Sequence, residues 1–315
     1  MNGSGSRESE LFLFRCCGFR WHYSIHSIHS IKPLPHSSVL FEKQKPMLYT
    51  FTDQMQRSTM LEHPPKRIVS LVPSQTELLH YLGLEDEVVG ITKFCVHPEA
   101  WFRNKTRVGG TKMVKSDVIA SLEPDLIIGN KEENERSQIE ELEQDYPVWM
   151  SDIQTLADAL HMIRAVGELV GKKERARELA QQIETDFEQL QAALPASRLR
   201  AAYFIWRQPY MVVAGDTFID EMLRIAGFAN VFASQSRYPE IQLGQLAELQ
   251  PDVILLSSEP FPFKEKHFAE FKQICPKAVI KIVDGELFSW YGSRLLQSAA
   301  YFRKLQSELS VASRD

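Results

Sequence analysis

A long helical stretch in the middle of the chain constrains the fold more than any other feature. From Lys172 to Ala193, the apolar residues Ala176, Leu179, Ala180, Ile183, Phe187 and Leu190 recur at helical spacing among charged neighbours, and Pro195 ends the run. At ~1.5 Å per residue this helix spans ~33 Å, about the diameter of a small domain. Just before it, Ile153 to Val170 shows the same period and closes at Gly171. A helix of this length between two folded parts reads as a rigid connector.

The parts on either side are of one kind. Before the connector, Arg67-Ile-Val-Ser-Leu-Val-Pro73 is a short buried strand, and Ser74 with Glu77 three residues on forms a capping box for a helix that Gly83 closes. Further short strands are expected at 88–92, 126–129 and 147–149, with helices between them. After the connector the alternation restarts, with strands at 200–206, 252–257 and 279–283, a helix at 217–226 and a last helix at about 293–309. Such alternation implies parallel sheets flanked by helices. Ile119-Ala-Ser-Leu-Glu-Pro-Asp-Leu-Ile-Ile128 also echoes Leu246-Ala-Glu-Leu-Gln-Pro-Asp-Val-Ile-Leu255, which supports two lobes of similar construction. The fold class is therefore α/β, with lobes at 61–171 and 195–315 and the connecting backbone helix at 172–194.

Residues 1–60 are expected to be a disordered extension, or translated leader upstream of a start at Met47. They contain an Ile-His-Ser repeat at 25–30, the adjacent Cys16 and Cys17, and four of the nine histidines, a composition that also suits a metal-binding tail. Seven basic against four acidic residues give this segment +3, so the net −5 of the chain hides a body at −8. An acidic body without a Lys/Arg cluster excludes a nucleic-acid protein, and no apolar run approaches the ~18 residues of a membrane span. Four scattered cysteines do not make a disulfide scaffold.

The order of lobe, long helix and lobe resembles the helical-backbone (class III) periplasmic binding proteins. That family captures iron-siderophore complexes, haem and vitamin B12 for ATP-driven importers. The resemblance covers Lys66 to about Leu309. It rests on Arg67 to Glu77 with Leu82-Gly83, on Val108-Gly-Gly110, and on Leu122-Glu-Pro-Asp-Leu-Ile127. The second lobe adds Gly227-Phe-Ala-Asn-Val231, Leu249-Gln-Pro-Asp-Val-Ile254 and Phe288-Ser-Trp-Tyr-Gly-Ser-Arg294.

The resemblance implies two Rossmann-like lobes with a ligand cleft between them, lined by loops at the C-terminal ends of the strands. Those loops hold Phe94, Trp101, Trp206, Tyr210, Phe261, Phe263, Phe288, Trp290 and Tyr291, nine of the chain's 32 aromatics, and about half are expected to be core. Of these, Phe94, Trp101, Trp206, Tyr210, Phe263, Trp290 and Tyr291 are the expected ligand contacts, with Trp206 and Trp290 foremost. Flat macrocycles or aryl chelates stack on such faces, and Arg207 and Arg294 suit their carboxylates or phosphates. Cys95 and His97, two apart in an extended loop, with Glu132 or Glu133 form a candidate metal set.

The resemblance further implies a binding protein rather than an enzyme. Its ligand is a small-molecule metal complex (an iron chelate, haem or a corrinoid), there is no built-in cofactor, and the chain acts as a monomer docking on an ABC transporter permease. Direct binding of zinc, iron or cobalt is the alternative, and a chelatase-like enzyme using His97 with Glu132 or Glu133 a third. The permease is usually met by one surface glutamate per lobe. Here the second-lobe position is Gly244 and the first-lobe position is Arg136, with Glu135 one residue earlier. The family role implies the periplasm or cell envelope, while no export signal is readable near the start, which keeps the cytoplasm open.

Overall fold

The computed structural model describes residues 47–312. The expectations for residues 1–46, Cys16, Cys17 and the histidine-rich stretch included, lie outside the described residues.

The described chain begins with an antiparallel hairpin, β1 (Leu48–Thr52) and β2 (Ser58–Glu62), so residues 48–60 are folded and correct the extension expected to run to residue 60. The turn is organised by Asp53, whose carboxylate accepts the backbone N–H groups of Met55 (2.9 Å) and Arg57 (2.8 Å).

In the first lobe the elements run β3 (Ile68–Ser70), α1 (Pro73–Tyr81), β4 (Val88–Ile91), α2 (Glu99–Asn104), β5 (Thr106–Arg107), α3 (Ser116–Ser121), β6 (Leu126–Asn130), α4 (Arg136–Leu142) and β7 (Val148–Ser151). The strands form one parallel sheet in the order β5-β4-β3-β6-β7. Both faces are covered, so β3, β6 and β7 are buried throughout, which is why they read as apolar runs rather than alternations. The hairpin turn rests on β7: Gln54 N–H donates to the Met150 carbonyl (3.1 Å), Thr59 Oγ1 to the Val148 carbonyl (2.7 Å), and Met150 N–H to the Asp53 carboxylate (3.3 Å).

Two helices follow, α5 (Leu156–Leu169) and the connector α6 (Lys173–Ala193). A true capping box starts α5: Thr155 Oγ1 accepts from Asp158 N–H, and the Asp158 carboxylate accepts from Thr155 N–H. The expected box at Ser74 and Glu77 does not form, because α1 starts at Pro73 without a side-chain cap and Glu77 turns to Arg294 instead. Where α5 packs on α6 the backbones come very close. A Cβ placed on Gly167 would lie 2.1 Å from Ala176 Cβ, so glycine sets this approach.

The second lobe contains β8 (Leu199–Trp206), β9 (Tyr210–Val212), α7 (Phe218–Ile225), β10 (Phe228–Asn230), β11 (Glu240–Ile241), α8 (Gln245–Leu249), β12 (Val253–Ser257), α9 (Phe268–Ile274), β13 (Val279–Val283), α10 (Glu286–Ser289) and α11 (Leu295–Ala312). Its sheet runs β11-β9-β8-β12-β13, with β10 pairing the start of β8. β8, β10, β12 and β13 are parallel, and β9 and β11 add an antiparallel edge.

The sequence echo is a structural one. Before β6 and before β12, Glu123 and Gln250 both adopt left-handed backbone at φ 45°. The aspartates that follow then clamp the preceding strand in the same way. Asp125 accepts from Lys66 and Arg67 N–H (2.7 and 2.8 Å), and Asp252 accepts from Arg200 N–H (2.7 Å). Arg67 and Arg200 in turn cap the carbonyls of Leu122 and Leu249.

One apolar core runs from the first sheet through α5 and α6 into α7, α10 and α11, while the far face of the second sheet has a separate core around Phe204, Phe232, Phe263 and Phe271. No helix among the described residues is long and apolar enough to cross a membrane. Gly167→Ala should cost about 1–3 kcal/mol in urea unfolding, since a buried methyl has nowhere to go. Adding Ala176→Gly should recover part of that loss, and a double-mutant cycle showing additivity would place the contact elsewhere.

Candidate functional site

The strand ends of the two lobes face each other across a cavity of about 580 Å³. The first lobe contributes Pro73, Phe94, Val96, Thr111, Asn130, Glu132 and Glu133. The second contributes Phe218, Ile219, Tyr238, Glu259, Pro260, Glu286, Ser289, Trp290 and Tyr291.

Local geometry explains how each wall is held. At the end of β6, the Asn130 side-chain oxygen accepts from Glu132 N–H (2.8 Å) and Glu133 N–H (3.1 Å), while Asn134 caps Asn130 N–H (2.8 Å). This turn fixes both glutamates at the cavity. Opposite them, α10 is four residues long and sits on the buried Phe288, so Ser289, Trp290 and Tyr291 are presented from a rigid base. Thr217 caps α7 at Asp220 N–H (3.1 Å) and sets Phe218 edge-on to Tyr291.

Polar contacts across the cleft tie the lobes together. Tyr291 Oη donates to Glu133 (2.6 Å), Arg237 pairs with Glu132 (2.8 Å), and Arg294 pairs with Glu77 on α1 (2.7 Å). His97 Nε2 lies 3.4 Å from Glu286, whose other oxygen is taken by Arg294 at 2.8 Å. Beneath them, a Cβ on Gly292 would lie 2.8 Å from the Ser74 carbonyl oxygen, so the lobes meet backbone to backbone at this point.

Glu133 and Glu259 are held differently from the other acids. Burial lifts the Glu133 carboxyl to about 7 against the opposing Tyr291 hydrogen bond, and nearby Glu259 and Glu132 add to the rise. Burial also raises Glu259, against hydrogen bonds from Ser289 Oγ (2.8 Å) and Trp290 Nε1 (3.1 Å).

Of the residues singled out from the sequence, Phe94, Trp290, Tyr291, Glu132 and Glu133 line the cavity. Arg294 stands behind Trp290, 4.8 Å from the ring centroid, with its charge used by Glu77 and Glu286. The others are corrected. Trp101 is fully buried in the first-lobe core, donating to Glu85 (2.6 Å) and packed edge-on to His80. Phe263 is core of the second lobe's far face, and Tyr210 packs there against Phe204 and Phe271. Arg207 forks onto Glu270 (3.0 Å from both Nε and Nη2), and Trp206 lies outside the cavity, edge-on to Phe261. Phe261 and Phe288 are likewise not in the cavity wall.

The proposed metal set does not converge. Cys95 Sγ is buried 3.1 Å from the hydroxyls of Thr76 and Thr92, and burial pushes the thiol up. Among the described residues no group of three or more His, Cys, Asp or Glu side chains is placed to hold a metal ion. Phe218, Tyr238, Glu259 and Glu286 are cavity residues not singled out from the sequence. Glu259 lies in the loop that carries Phe261 and Phe263, where a single carboxylate has no spacing signal of its own. Phe218 and Tyr238 sit beyond β9, on stretches that carry no strand-end signal.

A family model described as periplasmic binding protein matches residues 68–278. A vitamin B12-binding protein of Vibrio parahaemolyticus is 26% identical over 202 residues, covering 63% of this chain and 73% of that protein. An uncharacterised ABC transporter substrate-binding lipoprotein of Bacillus subtilis is 28% identical over 224 residues, covering 68% of this chain and 71% of that one. Among solved structures, the periplasmic vitamin B12 binding protein of Vibrio cholerae superposes with a TM-score of 0.67 at 22% identity, over 78% of this chain and 98% of the other. A periplasmic haem-binding protein from Roseiflexus sp. RS-1 gives 0.70 at 20% identity, over 79% and 99%.

The raised Glu133 predicts a pH effect. A carboxyl bound more tightly to its proton when folded adds stability below its unfolded value near 4.5 and loses it as pH rises through about 7. Glu133→Gln, which keeps an acceptor for Tyr291, should therefore gain on wild type between pH 4.5 and 7, by up to about 3 kcal/mol in urea unfolding at pH 8. A difference between the two proteins that does not change with pH would contradict the assignment.

Proposed function

This chain belongs to the periplasmic binding protein family, and we propose that it is the substrate-binding component of an ABC-type importer, holding a flat metal chelate of the corrinoid or haem kind between its lobes. Members of the family bind substrates for transport and are not enzymes, and a small-molecule ligand and a permease partner come with that role.

One observation carries the ligand reading. The cavity between the lobes has aromatic walls on both sides, Phe94 from one lobe and Phe218, Tyr238, Trp290 and Tyr291 from the other. Planar faces of this kind gain most from a planar guest, and a pocket of mainly apolar walls with a few polar groups is the usual form of a small-molecule site. Phe94, 50% exposed at the mouth, is the ring with most free surface to offer. Phe94, Trp290 and Tyr291 are the proposed contacts, and Arg294 is a positioning residue behind Trp290. No observation favours a bare ion.

The family role implies work at the cell envelope. For docking, Glu135 is exposed at the N-terminal cap of α4 and remains the first-lobe candidate; the neighbouring Arg136 is occupied by Glu140 (2.7 Å). Gly244 on the second lobe opens onto free space.

Titration of tryptophan fluorescence with hydroxocobalamin and with haemin tests the reading. Saturable quenching at micromolar concentration or tighter is expected for at least one of them. Trp290→Ala should weaken it at least about tenfold, the scale of losing one stacked aromatic, while Trp206→Phe leaves it unchanged. No saturable binding of either ligand below millimolar would end the proposal.

A further inference from the structure

The charge inventory of the cavity is one-sided. Four carboxylates line it, Glu132, Glu133, Glu259 and Glu286, and no lysine or arginine does. Two of the four have a cationic partner at its edge: Glu132 pairs with Arg237 (2.8 Å), and Glu286 shares Arg294 (2.8 Å) with Glu77. Glu133 and Glu259 have no ion-pair partner among the described residues. Their hydrogen bonds come from neutral donors, Tyr291 Oη for Glu133 and Ser289 Oγ with Trp290 Nε1 for Glu259.

The arrangement spans both walls. Glu133 belongs to the first lobe and Glu259 to the second, so a ligand seated between the aromatic faces meets an unpaired carboxylate on each side. A guest carrying its own carboxylates brings like charges into a site screened less than the open surface. A guest carrying positive charge supplies what these two groups lack. Burial is the main cause of the raised proton affinity of both carboxyls, and neighbouring carboxylates add to it.

We propose that the cleft is selective for cationic flat metal complexes and rejects carboxylate-bearing ones of the same size, with Glu133 and Glu259 as the specificity-determining residues. This rests on the ligand-binding reading above, and narrows it from shape to charge.

Haemin and its bis-amide, in which both propionates are converted to dimethylaminoethyl amides that are protonated near neutrality, share one macrocycle and differ in the sign of their fringe. Their dissociation constants are measured at pH 7.5 beside hydroxocobalamin. The cationic derivative should bind at least about 30-fold tighter than haemin, and added salt should shrink the difference. In Glu133→Gln with Glu259→Gln the ratio should fall to about threefold or less, while stacking still supports binding. Urea unfolding of the double variant checks that it folds. Equal affinity for the two haem forms, tighter binding of haemin, or a ratio unchanged in the double variant each overturns the charge assignment while leaving the ligand-binding reading standing. Failure of all three ligands to bind removes that reading, and the assignment with it.

Discussion

The contact of Phe187 on the connector helix with Phe302 on α11, at 6.3 Å between ring centroids, is the joint on which the molecule depends. From Phe302 the packing continues to Phe288 (4.5 Å) and from there to Tyr203 in the second sheet (5.1 Å). Phe288 lies within α10, the same short helix that presents Ser289, Trp290 and Tyr291 to the cavity. One continuous run of close-packed side chains thus leads from the connector to the ligand-facing wall. Because packed interiors resist compression, the wall is positioned by the backbone helix rather than by its own loop.

The basic residues of the cleft are used for architecture. Arg237 and Arg294 each reach from the second lobe to a first-lobe glutamate, and Arg294 also anchors Glu286 under Trp290. Holding the lobes together in this way consumes the positive charge that an anion-binding pocket would present. The lobes and the electrostatics of the cavity are therefore coupled, since the same ion pairs set both.

The fold was readable because its signals are periodic. The helical repeat of the connector, the buried strands and the Pro-Asp echo all report on regular backbone, where spacing dictates direction. The candidate site was readable only to the level of loops. Trp101 and Phe263 lie in loops or helices beside the strand ends, yet their side chains turn inward, and in irregular backbone no repeat reveals that choice. Glu259 shares a loop with Phe261 and Phe263, yet it is Glu259 and Pro260 that this loop turns to the cavity. Arg207 looked free because its partner, Glu270, is distant in sequence.

The hairpin before the first lobe acquires a meaning from its three bonds to β7. A terminal strand of a parallel sheet offers unpaired N–H and C=O groups to any extended chain that passes, its own copies included. Here the Met150 amide, the Met150 carbonyl and the Val148 carbonyl are occupied by Asp53, Gln54 and Thr59. Three of the groups that a passing strand would need along that margin are thereby already taken, which lowers what strand addition there could gain.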